Sequence, residues 1–84
     1  MDIKVEEELS DLINSFDQLI PSDQLQEMKD LNSSREPGIA YENLCTQIFE
    51  FDIQVSEAGF SQIRQIGLAI GIAPKYWERL RPEF

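Results

Sequence analysis

Residues 34–51 read SREPGIAYENLCTQIFEF, and the reading of the fold turns on them. Pro37-Gly38 closes one element and opens another. Pro37 also disfavours helical geometry at Glu36, which is expected to sit extended, outside a helix that runs to about Phe51. At 100° per residue, Ala40, Tyr41, Leu44, Ile48 and Phe51 share one face of that helix. Glu42, Thr46, Phe49 and Glu50 form a second stripe roughly opposite. A helix in a four-helix bundle needs only one buried face. Either this helix is central and contacted on two sides, or Phe49 stands exposed between acids as an aromatic anchor surrounded by charge.

The flanking sequence supplies the other elements. Val5, Leu9, Leu12, Ile13, Phe16, Leu19 and Ile20 fall on one stripe, with Glu7, Asp11, Asn14 and Gln18 opposite, which predicts a first helix over residues 3–19 ended by Pro21. Ser22 reads as the N-cap of a second helix carrying Leu25, Met28 and Leu31, which fades at Asn32-Ser33-Ser34. Ser56, with Glu57 behind it, opens a fourth helix whose Phe60, Ile63, Ile66, Gly67 and Ile70 share a face, and Gly71 suits its C′ position. Gly59 and Gly67 are placed to let a neighbouring helix approach closely. Pro74 suits the first position of a short last helix, whose Tyr76 and Trp77 would cover the end of the bundle. Strand alternation and internal repeats are absent. Short connections between amphipathic helices predict an all-α fold: one domain over residues 1–84, a small antiparallel bundle of four helices plus a short C-terminal helix.

Charge narrows the partners. The chain holds 16 acidic and 7 basic residues and no histidine, for a net charge of −9. Such a charge repels nucleic acid and anionic lipid alike. It is also uneven: residues 1–57 carry a net of −11 and residues 58–84 a net of +2. A basic protein would be drawn to the first two thirds. At 9.7 kDa, folding is expected to remove roughly 9,000 Å² from water, enough for a core with little margin. Cys45, the only cysteine, cannot form an intramolecular disulfide and reads as a small buried hydrophobe. MDIKVEEELS has no apolar signal core and no run approaches membrane-span length, so a cytoplasmic protein is expected.

Familiar chemistry is missing. Without histidine, the usual zinc, thiol–imidazole and serine–histidine arrangements cannot be built, and no Gly-rich phosphate loop occurs. An enzyme is not expected, nor a cofactor or metal. Residues 30–36 begin like a calcium loop, but Arg35 stands where glycine makes the sharp turn and Tyr41 where the bidentate glutamate belongs. Acyl carrier proteins are also short, acidic and helical, but their Asp-Ser-Leu attachment site is absent. Glu6, Glu7 and Glu8 in the first turns of helix 1 read as macrodipole compensation.

The run Arg35-Glu36-Pro37-Gly38-Ile39-Ala40-Tyr41-Glu42-Asn43-Leu44 resembles the Maf-type immunity proteins, and Ile63, Ile66 and Gly71 through Trp77 and Leu80 resemble that family's C-terminal half. The resemblance covers most of residues 25–80. It implies a small helical protein that neutralises a toxin made by the same bacterium, in Maf or contact-dependent inhibition systems. The toxin would be a basic nuclease domain, an RNase favoured, whose phosphate groove an acidic protein can occupy. Glu36, Tyr41, Glu42, Phe49, Glu50 and Asp52 are the candidate partner-facing residues, and a monomer is favoured. The alternative is a non-catalytic acidic adaptor or regulatory subunit for another basic protein.

Overall fold

The fold, seen in a computed structural model that describes residues 3–82, starts from four apolar stripes, each of which forms an α-helix. They are α1 (Ile3–Asn14), α2 (Ser22–Ser33), α3 (Pro37–Glu50) and α4 (Glu57–Ile70), followed by two 3-10 turns at Pro74–Tyr76 and Glu78–Leu80. No β-strand occurs among the described residues.

Leu9, Leu12, Ile13 and Phe16 at the end of the first stripe meet Leu25 and Met28 of α2, Ala40, Tyr41, Leu44, Cys45 and Ile48 of α3, and Ile63 and Ile66 of α4 in one core. Trp77 and Leu80 close it from the C-terminal segment. Both α2 and α4 pack on α1 and α3. The radius of gyration is 11.6 Å, against about 11.8 Å expected for a folded chain of this length.

The helix boundaries and types depart from the sequence reading at three places. Helix 1 stops at Asn14, not Leu19. Past it the backbone tightens into i→i+3 bonds, Phe16 N–H to Ile13 O and Asp17 N–H to Asn14 O at 3.1 Å each, and Gln18 turns left-handed at φ 77°. Phe16 and Ile20 still reach the core, while Leu19 swings out. Ser22 is the first residue of α2 rather than its cap; Pro21 takes the cap position and no side chain bonds there. The last helix is two 3-10 turns instead of an α-helix.

Helix ends explain the compact connections. Arg35 at φ 65° donates its N–H to Asn32 O, and Glu36 donates to Leu31 O at 2.9 Å, a Schellman closure of α2. The same closure ends α3, with Asp52 at φ 52° donating to Phe49 O and Ile53 to Ile48 O. Gly71 at φ 89° ends α4 as anticipated. Ser56 caps α4 by accepting from Gly59 N–H at 3.0 Å.

Candidate partner-binding surface

The two faces of α3 decide where a partner can touch. Its first face enters the core through Ala40, Tyr41, Leu44 and Ile48. Its second face is covered in part by the C-terminal segment. The Arg79 guanidinium lies 4.3 Å from the centre of the Phe49 ring, and the Glu42 carboxylate beside Tyr76 raises that phenol's pKa above its ordinary value. Helix α3 is therefore contacted on two sides, and Phe49 is still half exposed beneath its arginine.

Tyr41 does not belong to the surface. It is fully buried, and its hydroxyl donates to Ile63 O of α4 at 2.7 Å. Burial pushes the phenol's pKa upward. The ring passes over Gly67, where a Cβ would lie 2.5 Å from Tyr41 Oη and 2.8 Å from Trp77 Cδ1. Gly67 does admit a close neighbour, though the neighbours are two aromatic side chains. Phe51, placed on the core face by periodicity, is instead half exposed, because the helix has ended and its backbone begins the Asp52 turn.

The remaining candidate acids do not form one patch. Glu36 stands exposed at the N-cap of α3, with φ −117° and ψ 54°, outside the helix as expected. Its side chain makes no capping bond, while its carbonyl accepts from Ala40 N–H at 3.1 Å. Glu50 and Asp52 are exposed at the other end of α3, about 20 Å away along the helix axis. Glu42 lies between them, half-buried against Tyr76.

Two further features were not legible. Among the described residues, Asn32 is the buried polar residue of the core, and its Nδ2 donates to Glu6 O at 2.8 Å, tying the end of α2 to α1. The stretch that began like a calcium loop is thus a helix end with its asparagine turned inward. The second feature is the use of the basic C-terminal third. All four cations of residues 58–84 lie over aromatic rings: Arg64 over Trp77, Lys75 over Tyr76, Arg79 over Phe49 and Arg81 over Phe60, at 4.3–5.8 Å from the ring centres. Each such pair contributes about 0.5–1 kcal/mol at an exposed site and holds its cation to the C-terminal face.

The acids of α1 and α2 are left outward. Glu7, Asp11, Asp23, Glu27 and Asp30 are all exposed, the last three at i, i+4, i+7 spacing along α2. Among the described residues, no three metal-ligating side chains converge. No helix is long and apolar enough to cross a membrane. No protein-family model, curated protein or solved structure matches the chain.

Proposed function

We propose that this chain is a non-catalytic binding protein, an antiparallel four-helix bundle that captures a basic toxin domain in the cytoplasm and keeps substrate from it. The observation that carries the reading is the separation of charge. Cations are drawn onto aromatic rings at the C-terminal face, while the exposed acids of α1 and α2 face outward. A field of this kind speeds capture of a basic partner, which matters when the free partner is lethal. A nuclease must hold phosphates in a basic groove, so a nuclease domain, with an RNase favoured, is the toxin class that fits. The similarity of residues 35–44 to Maf-type immunity proteins points the same way. Inhibition needs no catalytic group from this side; occupying the groove suffices.

The test is to look for a basic nuclease domain encoded next to this chain and to titrate it with this protein, with RNA cleavage as the readout. Cleavage is expected to fall to zero at one equivalent. Binding without loss of cleavage favours an adaptor for a basic protein, and absence of binding removes the proposal.

A further inference from the structure

Resting on that reading, we propose that the contact is centred on the hollow between Leu19 and Phe51, and that it takes a basic segment carrying a large apolar side chain between lysines or arginines. Leu19 is 55% exposed and Phe51 49%, although both belong to apolar stripes. They line one open hollow of about 510 Å³, with Asp17, Ile20 and Pro21 beside them. Each is set outward by a left-handed non-glycine neighbour, Gln18 at φ 77° before Leu19 and Asp52 at φ 52° after Phe51. Such conformations are costly for residues with a side chain and persist where the surroundings fix them. Two large apolar side chains turned to water by two such turns form a patch that a partner can cover.

Charge selects the occupant. Leu19 and Phe51 follow the C-terminal ends of α1 and α3, where helix dipoles present negative potential. Neither helix has a basic residue of its own in its last turn; Lys29 of α2 donates to Asn14 Oδ1 at the end of α1 at 3.1 Å, which leaves the end of α3 as the more negative of the two. Asp17 lines the hollow and no cation does, while Glu50 stands exposed beside Phe51 at the end of α3; Asp52 lines the neighbouring groove instead. Arg79 and Arg81 line a separate groove with Phe49 and Asp52, and lie over the Phe49 and Phe60 rings respectively. A flanked apolar side chain would fill the hollow while its basic neighbours meet the helix ends. Apolar centre and charged rim is the anatomy of a protein interface.

A peptide Lys-Leu-Arg-Phe-Lys, with Lys-Ser-Arg-Ser-Lys as control, separates the site from charge alone, read by amide chemical shifts of the labelled protein. The apolar peptide is expected to shift residues 17–22 and 50–53 and to bind about tenfold tighter than the control. Leu19→Ser with Phe51→Ser should abolish that difference while the rest of the spectrum stays folded; the two single variants, each with a partial loss, serve if the pair unfolds. Equal binding of both peptides, with shifts spread over the acids of α1 and α2, overturns the hollow and leaves the charge-driven reading standing. Binding of neither overturns both. Shifts at Leu19 and Phe51 that grow with protein concentration alone assign the hollow to a second copy and overturn the basic occupant.

Discussion

Gly67 would place a Cβ 2.5 Å from Tyr41 Oη and 2.9 Å from Tyr41 Cζ, with Trp77 Cδ1 at 2.8 Å on the other side. The ring cannot give way easily, because its hydroxyl is bonded to Ile63 O. Gly67→Ala is therefore expected to cost about 1–3 kcal/mol in urea unfolding, as overpacked cores do. Tyr41→Phe should cost about 1 kcal/mol, the net value of one hydrogen bond. Removing the hydroxyl also removes the nearest clash. The double variant should then lose less than the sum of the two by about 0.5 kcal/mol or more, and strict additivity would contradict the packing described. Cys45, beside this cluster, has its thiol pKa pushed up to about 12, chiefly by burial. An unfolded thiol releases its proton near its ordinary pKa of 9.0, while the folded one keeps it. The stabilising contribution is thus complete below pH 9.0 and is lost as pH rises toward about 12. Unfolding free energy should fall more steeply over that window in the parent than in Cys45→Ala. Parallel pH profiles would show that the thiol is not sequestered.

At the scale of elements, the helical stripes of α2, α3 and α4 were readable because burial imposes a 3.6-residue period on apolar side chains. Ser56 and Gly71 were readable because cap chemistry is local. What failed were the places where periodicity continued after the helix had ended. Leu19 and Phe51 keep the spacing of their stripes, yet each belongs to a left-handed turn, and such turns at Gln18, Arg35 and Asp52 carry no glycine to announce them. The two sides of α3 were visible as an excess of apolar residues, but not which element would meet the second side. That needed the C-terminal 3-10 turns, whose Trp77 is buried and whose Arg79 lies over Phe49. Trp77→Ala should cost about 3–5 kcal/mol, the usual loss for a buried aromatic. Arg79→Ala should cost less than about 1 kcal/mol, since a half-exposed cation–π pair contributes little more. Equal losses in thermal or urea unfolding would mean that the segment is held by its charges rather than by its ring.

Over the whole molecule, the unevenness of charge was legible from counting alone, whereas the exposure of the candidate residues was not. Glu36, Glu50 and Asp52 are exposed, Phe49 is half covered, Glu42 is half-buried beside Tyr76, and Tyr41 is in the core. The helical period places Tyr41 with Leu44 and Ile48 on the face that is buried, so counting it among the partner-facing residues went against its own periodicity. The central claim is that exposed acids steer a basic partner onto this protein. It is tested most directly by stopped-flow association with the basic nuclease domain as ionic strength rises from about 0.02 M to about 0.5 M, a range over which screening shortens from beyond 20 Å to a few ångströms. The association rate constant should fall by about tenfold or more while the dissociation rate changes far less. Charge reversal by Glu7→Lys with Asp11→Lys should reduce both the rate and its salt dependence. An association rate indifferent to salt in the parent protein would contradict the claim.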